Sequence, residues 1–226
     1  MSNADGAASE GGALGVVIID DHQMFAESLG RLLELEQGIT VLGRAGTAAE
    51  GLVVVGRTRP TVVLVDYQMP DRDGVEVTRL IKAEHPGIMV VMLTGAADDR
   101  ILLDAIDAGC SGFLTKDRAA NEVVDAVRSA AAGEALISPA MLARLLPRLS
   151  RGQKDAGVEL TARELEVLEQ MAEGLSNKAI AERLFLSVNT VRNYVQSTLM
   201  KLDAHSKLEA VAAAVREGII SYPRQG

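Results

Sequence analysis

The sequence predicts an α/β domain with a doubly wound, five-stranded parallel sheet, followed by a small all-α domain. The chain has 226 residues, which suits one large domain or two modest ones. Its first part alternates five short, β-branched apolar runs with longer amphipathic stretches, a pattern typical of a parallel sheet covered by helices on both faces. Its last part contains a series of short helical patterns, several of which begin at Ser or Thr.

The apolar runs and the stretches between them define the elements of the first domain. The runs are short and rich in β-branched residues, so we interpret them as buried strands rather than helices. The predicted strands are Val16–Ile19, Ile39–Leu42, Thr61–Val65, Ile88–Leu93 and Gly112–Leu114. The predicted helices cover residues 22–36, 47–58, 73–85, 97–108 and 119–132.

The rest of the chain divides into a tail, a connector and the helical domain. Residues 1–13 are small and polar, so we expect a disordered tail there, before an α/β domain at 14–133. The connector, 134–157, contains an apolar helical stripe, and Pro147 predicts that its helix ends or bends early. The helical domain spans 158–226 and opens with a capping-box pattern from Thr161 to Glu164. Its predicted helices end near Ala172, Arg183, Leu202 and Glu217.

Charge and cysteine content exclude several classes of protein. The net charge of −8 excludes a uniformly basic nucleic-acid coat, but residues 1–138 carry −10 whereas 176–207 carry +3, which suggests domains with different partners. A single cysteine excludes a disulfide framework and a cysteine-based zinc site. No apolar run approaches the roughly 18 residues of a membrane span, and no signal-peptide pattern is seen. We therefore expect a cytoplasmic protein that does not act in a membrane.

Four of the predicted strands are followed by residues that can carry chemistry. Asp20 and Asp21, Asp66, Thr94 and Lys116 come just after apolar runs. In an open α/β sheet the carboxyl ends of the strands border one crevice, so these side chains should converge. Clustered carboxylates repel one another unless a cation lies among them, and oxygen ligands favour Mg²⁺ or Mn²⁺ over zinc. Together with a lysine and a hydroxyl, they predict a site at which a carboxylate attacks a phosphoryl group.

One predicted helix of the second domain has two distinct faces. Its apolar residues form one stripe: Val188, Val191, Val195, Leu199 and Leu202. Its polar face contains Asn189, Arg192, Asn193 and Gln196. Such side chains can read base edges in the major groove, and the preceding helix, which starts at Asn177 and Lys178, can contact phosphates through its N-terminal end.

The first domain resembles the receiver domain of bacterial two-component response regulators. The resemblance covers about residues 15–131 and is carried by Val17–His22, Val65–Gly74, Leu93–Gly95 and Gly112–Lys116. It implies a flavodoxin-like fold in which a sensor histidine kinase phosphorylates Asp66. It also implies that Mg²⁺ is bound by Asp21, Asp66 and the carbonyl group of Gln68, with Asp20 acting through water. Lys116 would contact the phosphoryl oxygens, while Thr94 and Phe113 would move on phosphorylation. Receivers often have proline after this lysine, whereas Asp117 follows here.

The second domain resembles the LuxR-type helix-turn-helix, so that the whole chain is similar to the NarL/FixJ family of response regulators. The motifs are Leu160–Leu168, Gly174–Leu184, Ser187–Val195 and Lys201-Leu202. The resemblance implies that Thr190, Val191, Arg192 and Gln196 face the major groove, whereas Asn177, Lys178 and Lys207 approach phosphates. Arg192 stands where lysine is more usual, and Tyr194 where histidine is frequent.

Three functional hypotheses follow. The first is a transcription factor in which phosphorylation of Asp66 favours a homodimer that binds paired DNA half-sites, with no enzymatic activity beyond its own phosphorylation and dephosphorylation. The acidic receiver would shield the helical domain before phosphorylation. The second is a Mg²⁺-dependent phosphohydrolase or phosphotransferase that uses the same carboxylates. The third is a constitutive DNA-binding or protein-interaction module without phospho-control.

Overall fold

The computed structural model describes residues 13–95, 98–116, 120–149 and 159–220. The predicted tail therefore lies almost entirely outside the described residues, as does the peptide bond between Lys116 and Asp117. The five strands are β1 (Leu14–Ile19), β2 (Ile39–Ala45), β3 (Val62–Asp66), β4 (Met89–Thr94) and β5 (Gly112–Thr115). The helices of this domain are α1 (Gln23–Glu34), α2 (Ala48–Thr58), α3 (Gly74–Glu84), α4 (Asp99–Asp107) and α5 (Ala120–Ala131).

The strands form a parallel sheet in the order β2-β1-β3-β4-β5, which confirms the doubly wound α/β fold. Consecutive residues of β1 point to opposite faces. Val16 and Ile18 pack with α1 and α5, whereas Val17 and Ile19 pack with α2 and α3. Both faces of the sheet are covered, which explains why the inner strands β1, β3 and β4 are continuous buried runs, whereas the edge strand β2 alternates exposed residues with buried or half-buried ones.

A segment after α5, residues 134–137, lies along the edge of β5; we call it the strap. Leu136 forms a parallel bridge with Gly112. The amide of Phe113 donates to the Leu136 carbonyl at 2.9 Å, and the amide of Leu136 donates to the Ser111 carbonyl at 3.0 Å. The strap thus covers part of an edge strand that would otherwise expose unpaired main-chain groups.

The connector helix is longer than the sequence predicted. It is α6 (Pro139–Leu149), and it continues past Pro147 instead of ending early. A proline near the end of a helix removes one late main-chain hydrogen bond. Against that cost, Leu142, Leu145 and Leu146 are almost completely buried in a core shared with the helical domain.

The helical domain contains α7 (Ala162–Ala172), α8 (Asn177–Leu184), α9 (Val188–Lys201) and α10 (Lys207–Arg216). A hydroxyl side chain caps the N-terminus of each helix: Thr161, Ser176, Ser187 and Ser206. The predicted capping box is present, since Thr161 and Glu164 each bond the other's main chain. These caps satisfy amides that a helix leaves without internal partners, and so they set where each short helix starts.

The two domains pack against each other through one apolar core. Leu102 and Ile106 of α4 and the leucines of α6 join buried residues of α7 to α10. Polar contacts cross the same boundary: Arg216 pairs with Asp107 at 2.5 Å, and the Ser206 hydroxyl donates to the Cys110 carbonyl at 2.9 Å. The helical domain is therefore docked on the α/β domain.

Within the described ranges, no helix combines the length and the apolar character that crossing a membrane requires.

Candidate functional site

Four strands end at one acidic cleft. Asp66 is the last residue of β3, Asp20 follows β1, and Lys116 follows β5. Asp20 and Asp66 are almost completely buried, at 1% and 3% exposure. Thr94, the last residue of β4, lines the same cavity of about 360 Å³ with Asp66, Gln68 and Lys116. The structure thus brings together the residues that sequence reasoning placed at the strand ends.

Lys116 joins the two buried carboxylates. Its Nζ lies 2.8 Å from Asp20 Oδ2 and 2.8 Å from Asp66 Oδ2, and it lies over the Phe25 ring. Apart from this ion pair, neither carboxylate oxygen accepts a hydrogen bond from the described residues. The lysine is held in place by two negative charges, and a positive charge stands beside the Asp66 carboxylate.

Burial and charge act in opposite directions on the groups in this cleft. Burial raises the pKa of Asp66 and Asp20 adds to the rise, while Lys116 and the amide of Gln68 oppose it. For Lys116, burial alone would lower its pKa, but the hydrogen bonds and charges of Asp20 and Asp66 outweigh it and raise the pKa. The lysine therefore remains charged, as a partner of an anion must.

The carboxylates also form a group suited to a hard cation. One ligand atom from each of Asp20, Asp21, His22 and Asp66 lies within 4.8 Å of all the others. His22 Nδ1 is 2.7 Å from Asp21 Oδ1, and the His22 amide donates to Asp20 Oδ1 at 2.8 Å. Closely spaced carboxylate oxygens, two of which accept no hydrogen bond from the described residues beyond their pairing with Lys116, fit a divalent metal ion.

Phe113, the expected switch residue, lies in β5 beside the strap. It is half-buried, packs against apolar residues of both domains, and lines a second cavity of about 400 Å³ with Thr94, Leu136 and Ile137. Free volume therefore adjoins the aromatic ring and the end of β4. Gln68 is exposed at the mouth of the acidic cleft.

The exposed face of α9 contains most of the predicted base-reading residues. Asn189, Arg192, Asn193 and Gln196 are exposed, while Thr190 is half-buried and its hydroxyl lies 2.7 Å from that of Ser187, the cap residue. Glu164 supports this helix from behind, because it accepts hydrogen bonds from Ser197 and Lys201 of α9. These bonds hold the pKa of Glu164 at about 2, since they outweigh the effect of burial.

Val191 does not belong to this face. It is completely buried in the core of the helical domain, so the expectation that it contacts the groove needs correction. Its place on the apolar stripe with Val195 already pointed inward.

Two of the three residues expected at phosphates lie beneath the α/β domain. Asn177 is 3% exposed and Lys207 is 4% exposed, whereas Lys178 is exposed. Glu134 of the strap contacts both buried residues. Gln196 lines the narrow crevice between the domains, together with Met89 and Ser111.

Comparison with known proteins identifies both domains. Residues 16–128 match the response regulator receiver domain, and residues 158–214 match the LuxR family of bacterial regulatory proteins. The chain is a LuxR/NarL-family response regulator. It is 35% identical to the uncharacterized transcriptional regulatory protein YxjL of Bacillus subtilis over 210 residues, which cover 91% of this chain and 96% of that one. It is also 35% identical to the transcriptional regulatory protein LiaR of the same organism over 208 residues, covering 91% and 99%.

A solved structure extends the similarity to the fold. The structure is that of the Salmonella typhimurium RcsB response regulator, described in terms of its conformational dynamism for DNA interaction. Its sequence is 25% identical to this chain, the TM-score is 0.53, and the alignment covers 88% of this chain and 96% of that one. The relatives are transcriptional regulatory proteins, so this response regulator is a transcription regulator rather than the phosphohydrolase of the second hypothesis.

Sequence reasoning missed the tertiary contacts of two glutamates. Glu134 contacts the helical domain from the strap, and no local pattern marks a single glutamate after a helix as an interdomain ligand. Glu164 was assigned only to the capping box, although its carboxylate also reaches α9. The i to i+3 spacing identifies a cap, whereas the contact with a residue 33 positions away depends on the tertiary fold.

Proposed function

We propose that this response regulator binds DNA under the control of phosphorylation at Asp66 by a sensor histidine kinase. The observation that carries the proposal is the pairing of the buried Asp66 carboxylate with Lys116 at 2.8 Å, in a cleft that also holds Asp20, Asp21 and Thr94. The same chain carries a LuxR-type DNA-binding domain. A signal at the cleft is thereby linked to transcription.

The residues of the cleft suit transfer of a phosphoryl group. A carboxylate oxygen of Asp66 attacks phosphorus, the bond between phosphorus and the kinase histidine nitrogen breaks, and that nitrogen retains its electron pair. Lys116 neutralises negative charge on the phosphoryl oxygens, and the Thr94 hydroxyl can donate to one of them. Asp21, Asp66 and the Gln68 carbonyl would hold Mg²⁺, with Asp20 acting through water. When bound, Mg²⁺ offsets the charge of the carboxylates and the phosphoryl group.

We assign the reading of bases to the exposed face of α9, and the contacts with DNA phosphates to residues at the starts of α8 and α10. Asn189, Arg192, Asn193 and Gln196 offer donors and acceptors for base edges, and Thr190 stands at the start of the same helix. Asn177, Lys178 and Lys207 would contact phosphates. We expect the active form to be a homodimer on paired half-sites, because half-site spacing on DNA matches a two-fold protein.

The docked arrangement supports masking as the form of control. Asn177 and Lys207 are buried against the α/β domain, so a DNA backbone cannot reach them until the domains separate. Thr94 and Phe113 line a cavity together with residues of the strap. Phosphorylation in the cleft would change the positions of these two side chains and would thereby favour the state in which the domains are separated.

The experiment is phosphorylation of the full chain by acetyl phosphate in the presence of Mg²⁺, followed by intact mass measurement. We expect one phosphoryl group on the wild type and none on Asp66→Asn. Asp125→Asn, which changes an exposed aspartate of α5, should be labelled like the wild type. Full labelling of Asp66→Asn would show that Asp66 is not the acceptor.

A further inference from the structure

A carboxylate of the α/β domain binds at the N-terminus of a helix in the DNA-binding domain. The main-chain amide of Asn177, the first residue of α8, donates to Glu134 Oε1 at 2.9 Å and to Oε2 at 3.1 Å. Lys207 Nζ donates to the same Oε2 at 2.7 Å. One carboxylate is therefore held by a helix amide and an ammonium group that belong to two different helices.

This pocket has the properties of a site for a larger anion. The amide at the start of α8 has no partner within its helix, and the helix dipole favours negative charge there. The Lys207 side chain is only 2% exposed, so its charge is costly to leave unpaired. A main-chain amide and a lysine are typical donors to DNA phosphates.

We propose that Glu134 occupies a DNA-phosphate site of the helical domain and blocks it by taking the place of the phosphate. This inference rests on the proposed function and specifies how the masked state is held. A carboxylate and a phosphodiester both present two acceptor oxygens to such donors. DNA and Glu134 therefore compete for the same amide and the same lysine, and binding of one excludes the other.

The strap determines whether Glu134 can reach this site. Glu134 lies two residues before Leu136, whose main chain is bonded to Ser111 and Phe113 at the edge of β5. Phe113 also borders the cavity shared with Thr94. A change at the acidic cleft that displaces β5 or the strap thus moves the carboxylate away from α8.

The direct test is a sulfate titration of the full chain. Binding is monitored through the NMR resonance of the Asn177 main-chain amide. Sulfate is a small anion that the free site should bind. In Glu134→Ala we expect a saturable shift of this resonance, whereas the wild type should show none at the same concentrations. No saturable shift in Glu134→Ala, or an equal shift in the wild type, would overturn the proposal.

Two further variants separate site blocking from loosening or misfolding. Asp107→Ala removes the partly exposed ion pair with Arg216 at the same interface but leaves Glu134 in place, so it should bind no sulfate at Asn177. Glu134→Gln keeps the shape of the side chain and removes its charge. If Glu134→Ala unfolds, Glu134→Gln must show the sulfate shift for the proposal to stand.

Binding to a short fluorescent duplex distinguishes this inference from the proposed function. Without phosphorylation, Glu134→Ala should bind the duplex about tenfold more tightly than the wild type, the effect of removing hydrogen bonds to a charged group. If a beryllofluoride-activated wild type binds tightly and Glu134→Ala does not differ from the inactive wild type, only the Glu134 proposal is wrong. If no form binds DNA, the proposed function is wrong as well.

Discussion

Replacement of Gly112 by alanine should detach the strap from the α/β domain. A Cβ at position 112 would lie 2.1 Å from the Cβ of Leu136 and 2.7 Å from its Cα and carbonyl oxygen. Real Cβ atoms essentially never come within 3.0 Å of another heavy atom, so the strap must move by about 1 Å or more. Because two of the three neighbouring atoms are main chain, a change of rotamer cannot relieve the clash.

The expected magnitude follows from the bonds that this movement breaks. The strap is held to β5 by the amide of Phe113 at 2.9 Å and by the amide of Leu136 at 3.0 Å. At a net 0.5–1.5 kcal/mol for each hydrogen bond, detachment costs about 1–3 kcal/mol of local stability. Protection of these two amides from exchange should therefore fall by roughly tenfold or more.

Hydrogen exchange of the full chain, resolved at Phe113 and Leu136, is the assay. Gly87→Ala is the matched control, because a Cβ there meets nothing within 4 Å, and its exchange pattern should equal that of the wild type. Unchanged protection of Phe113 and Leu136 in Gly112→Ala would refute the role of the strap. The same result would also show that the close approach of the strap to β5 does not require glycine at position 112.

Three further predictions concern stability and DNA binding. Glu164→Gln should lower the free energy of unfolding of the helical domain by about 1–3 kcal/mol, because it weakens the bonds to Ser197 and Lys201. The wild-type contribution is complete above pH 4.5 and is lost as the pH falls towards the folded pKa of about 2, so acid unfolding should distinguish the two proteins. Burial lowers the pKa of Lys82 to about 8 from 10.5. The free energy of unfolding should therefore rise between pH 8 and 10.5, by at most about 3 kcal/mol, because the unfolded chain binds this proton more tightly. Denaturant unfolding of Lys82→Met should lack this rise. Arg192→Ala should weaken operator binding at fixed salt without changing stability. Val191→Ala should instead destabilise the helical domain by about 2 kcal/mol in thermal unfolding, because Val191 is buried. Equal effects of the two substitutions on stability would contradict the placement of Arg192 at DNA and Val191 in the core.

The elements of the fold and the acidic cleft could be predicted because both depend on local pattern. Strands buried on both faces are continuous apolar runs, and the ends of parallel strands must meet at one edge of the sheet. Asp20, Asp66 and Lys116 consequently converge, as their positions after three runs indicated. The helix starts followed from hydroxyl caps such as Ser176 and Ser187.

The contacts between the domains could not be predicted, because they depend on how two separate units dock. The resemblance to the LuxR-type helix-turn-helix implied a position for Lys207 at DNA phosphates, yet here Glu134 compensates its charge and allows its burial. Pro147 indicated an early helix end, but tertiary burial of Leu142 and Leu145 outweighs this local preference. The periodicity of residues 97–108 predicted a helix but not the partner of its apolar face, and Leu102 of α4 contributes to the core shared by the two domains.

The central claim is that phosphorylation at Asp66 switches DNA binding on. The most direct test is the affinity of the full chain for genomic DNA fragments at one fixed salt concentration, with Mg²⁺ alone and with Mg²⁺ and beryllofluoride, since affinity for DNA depends on salt. We expect tighter, dimeric binding with beryllofluoride, and no such gain in Asp66→Asn. Equal binding by the wild type in both conditions would contradict the claim.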